Sequence, residues 1–428
     1  MSAVLPEQPT SGKTPATGGK TIVFLMIVAF LDTMGLSIAN PVAPFMTLQH
    51  LSNPANLAIT VSWMISIYGI CQLLASPVLG KLSDRFGRRP ILFICLFGSA
   101  VGYLFFGLGD ALWMLFLGRI IDGLTGGNFS VLFAYVADIT EPEERGKYFG
   151  IAGGVAGLGF IIGPSVGGLL AAINYSIPFL AASLVCLLSM LWGIFFLPES
   201  LQKQHRVTSI KISDLNPFKQ LGSLFRIATL RWLLLAFFFY YFPFAHLMAN
   251  LTILLKDSLG WNATDAGLAS STIGVVDILV QGVLVGFLLP RLGSVRLGIG
   301  SLVLVGLSYV LLAVVAWNSS PIFLFVGGVL FAGAGGLVEN ALRGLLSAKA
   351  SAAQQGVVGG ASQSMQSLAM IIGPLLGGWL YSQAGHPVPY LGGVLIIALA
   401  IVSILLAVLP RRATPVAAEV ATEVEVHP

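Results

Sequence analysis

Residues 80–90 read GKLSDRFGRRP, with five charged side chains set between two apolar stretches of helical length. A cluster of this kind cannot lie in hydrocarbon, so it predicts a tight, Gly-bounded cytoplasmic turn joining two membrane spans. Outward from it, the 428 residues are 56% hydrophobic and only 9% charged, against about 25% charged in soluble domains. The charges are clustered. Between the clusters lie twelve apolar stretches, each long enough for a helix to cross a hydrocarbon core about 30 Å thick. They run over 21–46, 58–79, 90–109, 111–136, 147–172, 176–197, 230–255, 264–289, 297–317, 321–345, 356–383 and 389–410. Stretches this long and evenly apolar exclude barrel strands. The expected class is an all-α polytopic membrane protein with twelve transmembrane helices.

Lysine and arginine give the orientation. Of 22 basic residues, Arg119 lies within a span and Lys256 on one side; the other 20 share the opposite side. That side is predicted to be cytoplasmic, with both termini inside and a multi-pass chain in the inner or plasma membrane. The net charge of +4 then reflects topology and predicts no nucleic-acid partner. No cleavable leader is expected, and Cys71, Cys95 and Cys186, all within spans, read as packing residues. Gly-Lys-Thr occurs at 12–14 and 19–21, but without the upstream glycine of a nucleotide-binding Gly-x4-Gly-Lys-Ser/Thr loop, and no catalytic triad or metal-ligand spacing is found in the sequence. It therefore predicts no enzyme, no metal and no cofactor, with a proton gradient as the energy source.

The chain repeats itself. Gly80, Leu82, Arg85 and Gly87 recur 206 positions later as Gly286, Leu288, Arg291 and Gly293, with Pro290 in place of Asp84. GPSVGG at Gly163–Gly168 recurs as GPLLGG at Gly373–Gly378, 210 positions on. Two motifs at nearly one offset predict a duplicated six-helix unit. The parts are then a cytoplasmic tail (1–20), an N-terminal bundle (21–197), a cytoplasmic linker (198–229), a C-terminal bundle (230–410) and a second tail (411–428). Parallel repeats with a substrate site at their interface suit alternating access by rocking.

Ionisable groups within spans are expensive and mark function by default. Asp32 in helix 1 and Asp277 in helix 8 are deep and lack a cation within one helical turn, which suits carriers of protons. Arg119 and Asp122 in helix 4 stand three apart, and Glu339 and Arg343 in helix 10 stand four apart. Each is either a structural ion pair or part of the coupling machinery. Asp32, Asp277, Glu339 and Asp122 are the proton-coupling candidates. Helix 7 carries an aromatic run from Phe237 to Phe244, including Tyr240 and Tyr241, then His246 and Asn250. These side chains either pack in the core or face a central cavity. With Asn40, Arg119, Asn128, Gln281, Gln363 and Gln366 they make a candidate site of apolar walls and few polar anchors, fit for a hydrophobic drug.

The pattern of Gly80, Asp84, Arg85, Gly87, Arg88 and Arg89 resembles the signature loop between helices 2 and 3 of major facilitator superfamily transporters. In helix 5, Gly159, Gly163, Pro164, Gly167 and Gly168 resemble the antiporter motif of drug/proton exporters; read without the resemblance, the same glycines permit close helix contact. LDTMG at Leu31–Gly35, Leu112–Arg119, Gly260–Asn262 and Gln354–Gly356 extend the likeness to the tetracycline/proton antiporter branch. The resemblance implies the major facilitator fold, two pseudo-symmetric six-helix bundles, with proton-driven export and a key acid at Asp32. Such antiporters carry further aspartates in helices 3 and 9, where this chain has Val101–Gly102 and Ser301–Val305, and a helix 8 histidine where it has Asp277.

Asp84 is expected to meet the positive N-terminus of helix 11 in one conformational state, as a latch, while the arginines around it also fix topology. The expected function is proton-coupled efflux of hydrophobic or amphipathic drugs, tetracycline-like or multidrug, by a monomer in the bilayer. The alternatives are a proton-coupled symporter or facilitator for a small nutrient, or a lipid or glycolipid flippase.

Overall fold

The computed structural model describes residues 18–141, 144–207, 224–225, 227–350 and 355–409. Residues 1–17 and the second tail, most of the linker and residue 354 of the Gln354–Gly356 stretch lie outside the described residues. Helices α1 (Gly18–Ile38) and α2 (Ala43–Leu48) follow one another across a break at Asn40–Val42, and α3 (Leu57–Phe86) and α4 (Arg88–Gly107) come next. Helices α5 (Leu112–Thr125) and α6 (Asn128–Ile139) are separated by Gly126–Gly127. Helices α7 (Arg145–Ala171) and α8 (Ser176–Phe196) complete the first half. The second half holds α9 (Ala228–Leu259), α10 (Ala263–Leu279), α11 (Val285–Asn318), α12 (Pro321–Lys349), α13 (Gln355–Ala384) and α14 (Val388–Val408).

The charged stretch is not the tight turn its composition predicts. Helix α3 continues through Lys81, Asp84 and Arg85 to Phe86, and only Gly87 (φ 110°, ψ 157°) breaks it. Charged residues are good helix formers outside hydrocarbon, so only a residue free to take positive φ ends the helix. The duplicated position behaves alike: Gly293 (φ 72°, ψ 159°) is the one kink inside α11. Thus the 206-residue repeat is also a repeat of backbone conformation.

Among the described residues, 10 helices are long and apolar enough to cross a membrane. The predicted spans at 264–289 and 356–383 are helical but fall outside that number. Helix α10 has 17 residues before a π-helical turn at Val280–Leu284, and α13 is diluted by Gly, Ser and Gln.

Within the first half α1 packs on α7, and α4 on α5 and α8; within the second α9 packs on α13 and α14, and α11 on α12 and α14. Two seams join the halves, α7 with α10 and α3 with α13. The glycine repeats build both seams through Gly168 and Gly378, while Gly167 and Gly377 pack on a helix of their own half. A methyl group at Gly167 would lie 2.3 Å from the Ile38 carbonyl oxygen, and one at Gly168 would lie 2.8 Å from that of Ala263. At the duplicated positions, one at Gly377 would strike the His246 ring and one at Gly378 would lie 2.1 Å from Ser62 Oγ. Only glycine lets these backbones approach so closely.

Hydrogen bonds clamp the seams across the halves. Ser66 Oγ donates to Ile371 O (2.6 Å), Ser271 Oγ to Ile161 O (2.5 Å) and Thr264 Oγ1 to Gly168 O (2.7 Å). Toward the basic loops the contacts stop: Gly153, Gly154 and Gly359 have no neighbour within 4 Å of a would-be Cβ. The halves therefore gape on the side of the basic loops and close on the other.

Candidate functional site

Between the halves lies a cavity of about 1200 Å³. Its walls are mostly apolar, from Phe129, Phe160, Phe244, Met248 and Phe331, with Asn40, Tyr240, Asp277, Glu339 and Gln366 as the sequence-predicted residues that reach it. Helix α9 lines it with Tyr240, Phe244, Met248 and Leu251, a spacing of one helical face. Phe244 stacks on Phe331 (centroids 5.8 Å, 20° between planes), and Tyr240 is fixed by a hydrogen bond to Gly335 O at 3.1 Å.

Other members of the predicted aromatic and amide set point elsewhere. His246 is 2% exposed and packs against Tyr390 at 5.2 Å, with Asn250 Nδ2 3.0 Å from its Nδ1. Both belong to the packed face of α9 that meets Gly377, and neither lines the cavity. Tyr241 stacks on Phe237 and bonds Glu339 through its hydroxyl. Arg119, Asn128 and exposed Gln363 are not among the cavity's walls, and the Gln281 side chain lies outside the described residues. Met248, Leu251, Phe129 and Phe331 are lining residues the sequence reading missed. Helix α9 is buried on nearly every side, so no polar stripe marks its cavity face.

The acids form one cluster in each half. In the first, Asn128 Nδ2 donates to Asp32 Oδ1 at 2.6 Å. The pairing depends on the break at Gly126–Gly127, which starts α6 at Asn128; a methyl group at Gly127 would lie 2.6 Å from Leu79 Cδ1. Arg119 Nη1 is 3.7 Å from Asp122 Oδ2 and its guanidinium lies over Phe106 at 4.9 Å. Asp122 Oδ2 and Asn128 Oδ1 are buried without a hydrogen-bond partner. In the second cluster, Arg343 donates twice to Glu339 Oε1, at 2.9 and 2.7 Å. Asp277 is half-buried at the cavity wall, on the turn before the π-helical segment; such backbone defects recur at functional sites.

The charged stretch organises a third cluster, from its own half and the start of the linker. Asp84 Oδ1 takes a bond from Arg88 Nη1 at 2.5 Å and Asp84 Oδ2 lies 3.7 Å from Lys81 Nζ. Arg88 Nε also reaches Asp138 Oδ2 at 3.1 Å. Glu199 accepts from the backbone N–H of Arg88 (2.8 Å) and Arg89 (3.3 Å), capping α4 from outside. Ser200 Oγ bonds Asp138 at 2.9 Å, while Arg89 bonds Ile194 O and Tyr135 bonds Pro198 O. Arg85 is exposed over Phe86, and Gly80 has open space around it. The expected contact of Asp84 with the start of α13 falls where residues 351–354 lie outside the described residues; in this gaping state Asp84 is held by Arg88. The sequence reading missed Asp138, Glu199 and Ser200. The only signal was Pro198–Glu199–Ser200 directly after the sixth apolar stretch.

The helix 5 glycines are a packing seam. Methyl groups at Gly159 and Gly163 would lie 2.4 Å from Phe30 O and 2.0 Å from Ser37 Oγ, and Ser37 Oγ donates to Gly159 O at 3.1 Å. Gly167 and Gly168 meet α1 and α10 as described, and Pro164 reaches the cavity.

The chain is 31% identical over 409 residues to tetracycline resistance protein, class D, of Salmonella ordonez, covering 93% of this chain and 99% of that protein. It is 30% identical to multidrug resistance protein 2 of Bacillus subtilis (strain 168), covering 89% and 94%. Among solved structures, the human organic anion transporter MFSD10 (TETRAN) superposes with a TM-score of 0.69 at 23% identity, covering 91% of this chain and 99% of that one. A bacterial homolog of the human lysosomal transporter Spinster, in an inward-facing and occupied conformation, gives 0.72 at 15% identity, covering 92% and 97%. At these identities the two structures speak for the fold alone. The sequence pattern of the Major Facilitator Superfamily matches residues 25–248 and again 233–426. The protein is a multi-pass membrane transporter rather than an enzyme, and it belongs to the Major Facilitator Superfamily.

Proposed function

We propose that this transporter exports hydrophobic or amphipathic drugs, tetracycline-like or multidrug, in exchange for protons. The observation that carries the reading is the cavity of about 1200 Å³, with an aromatic wall and carboxylates at Asp277 and Glu339. A flat ring system stacks on Phe244 and Phe331, a cationic group is drawn to the acids, and few hydrogen-bonding side chains are offered to a sugar. The basic loops and both termini face the cytoplasm of a cell whose inner or plasma membrane holds the chain as a monomer. The gape is then inward, and drug loads from inside. The halves are the two six-helix bundles at 21–197 and 230–410, rocking about the cavity.

Asp32 is the coupling acid in this reading. When ionised it accepts the Asn128 Nδ2–H bond; when protonated it becomes a donor, and the unpartnered Asn128 Oδ1 is the acceptor next to it. The exchange of roles reaches from α1 to the start of α6 without a change of partner. The test is ΔpH-driven transport of tetracycline and a fluorescent cation in inverted membrane vesicles, wild type against Asp32→Asn. Substrate-dependent proton release that Asp32→Asn abolishes is the expected result. Substrate that accumulates with protons, in the same direction, establishes symport and overturns export. No flux of either compound points to nutrient or lipid substrates.

A further inference from the structure

A second cavity, of about 720 Å³, lies outside the one between the halves. It is built by the first half alone, from the end of α2 (Met46, Gln49, His50), the turn after α4 (107–110) and the end of α7 with the turn into α8 (171–176). It lies on the side away from the basic loops, one helical turn beyond Gly168, where Thr264 closes the α7–α10 seam. Unlike the central cavity, its walls are mostly polar.

The fixed charges around this cavity have one sign. The segments that build it, 39–57, 107–111 and 171–176, contain Asp110 and no lysine or arginine. Helices α4 and α7, 20 and 27 residues long, both end at its wall. Their last carbonyls have no intrahelical donor, and each helix end carries about half a negative charge. One N-terminus, that of α8, faces them, but its donors are taken. Ser176 N–H goes to Asn174 Oδ1 at 2.8 Å and Ile177 N–H to Asn174 O at 3.1 Å, and Pro178 has none. His50 Nε2 is buried at the wall with no hydrogen-bond partner among the described residues, an acceptor whenever Nδ1 holds the proton. Tyr175, held by stacking on Phe45 (centroids 5.8 Å, 26° between planes), adds an aromatic ring, and such rings attract cations over their faces.

We infer that this cavity is a second binding site, separate from the central one, for small water-soluble organic ammonium ions. The inference goes beyond the export reading and does not depend on it. Carboxylate and helix ends together attract a cation and repel an anion of equal shape. A hard metal ion needs about six oxygen ligands, and the walls offer a single carboxylate. A cavity of this volume instead suits an organic molecule, and polar walls favour one that arrives from water. Asp110 is then the charge partner, His50 Nε2 the acceptor for an ammonium N–H, and Tyr175 the aromatic wall.

The full-length protein in phosphatidylcholine nanodiscs tests this with the photoactivated probe 4-azidobenzylammonium, set against its neutral isostere 1-azido-4-ethylbenzene. Labelled peptides are mapped by mass spectrometry. The expected result is labelling within 107–110 or 171–176 that exceeds the isostere's by about tenfold or more. In Asp110→Asn it is expected to fall about three- to fivefold, the effect of losing an exposed charge pair. Equal labelling by the two probes, or a fall of less than about twofold in Asp110→Asn, overturns the proposal. So does the absence of label from both stretches. Should Asp110→Asn fail to fold, Leu108→Trp fills the cavity instead; loss of label from 171–176 supports the site, and undiminished label there overturns it. Label on Phe244 or Phe331 reports the central cavity separately. Failure of the export reading, seen as no drug flux in vesicles, leaves this site standing.

Discussion

Asp32 and Asn128 meet at 2.6 Å across 96 residues of sequence, and the bond gives the first prediction at the scale of single residues. A hydrogen bond to a charged group contributes about 1.5–3 kcal/mol. Asn128→Ala removes the donor and leaves the carboxylate in place, so ΔpH-driven transport is expected to fall by roughly tenfold or more. Asn128→Asp sets a second acid against the first and is expected to fall further; initial rates in inverted vesicles compare the two. Gly87 gives a structural counterpart. It sits at φ 110°, and a methyl group there would lie 2.2 Å from Glu199 Oε2, so Gly87→Ala both strains the backbone and displaces the cap of α4. Strain of this kind costs about 1–3 kcal/mol, which predicts a lower melting temperature in detergent. Glu199→Gln keeps an acceptor oxygen and is expected to melt above Glu199→Ala.

At the scale of helices, the glycines of α7 fall into two kinds that sequence cannot separate. Gly159, Gly163 and Gly167 face the backbone of α1, whereas Gly153 and Gly154 face open space. Gly167→Ala pushes a methyl group to 2.3 Å from Ile38 O, a backbone atom that cannot rotate away, and overpacking of this kind costs about 1–3 kcal/mol. Gly153→Ala meets nothing and gains up to about 1 kcal/mol of helix propensity. The first is expected to melt lower than wild type and the second no lower, in one detergent series. Helices, repeats and most acids were legible because periodicity, charge clustering and desolvation are local to the chain. What was not legible depended on distant partners. Glu199 caps a helix that begins 111 positions earlier, and the charged stretch looked like a turn because charge leaves hydrocarbon without leaving the helix. The aromatic run of α9 was visible, yet its cavity face was not, because the rings run almost without interruption around the helix and stack on one another as well.

For the whole molecule, the state described here is held by a few hydrogen bonds at the closed ends of two seams. Rocking to the opposite state has to break them, since each links the halves. Ser271 is the busiest, donating to Ile161 O at 2.5 Å and accepting from Ser165 N at 3.0 Å. Ser66 holds the other seam through Ile371 O at 2.6 Å. Each such bond contributes about 0.5–1.5 kcal/mol net, so removing them biases a two-state equilibrium by about tenfold for every 1.4 kcal/mol. The double variant Ser66→Ala/Ser271→Ala is therefore expected to populate the opposite state more heavily. A cysteine at Gly359, where the gape is open now, reports it in a background without Cys71, Cys95 and Cys186. Its labelling by a membrane-impermeant maleimide, added on the basic-loop side, should slow in the double variant by roughly the lost fraction of gaping molecules. Labelling that is unchanged means the seam bonds break and re-form with water at no net gain, and that the glycine packing beside them sets the balance between states.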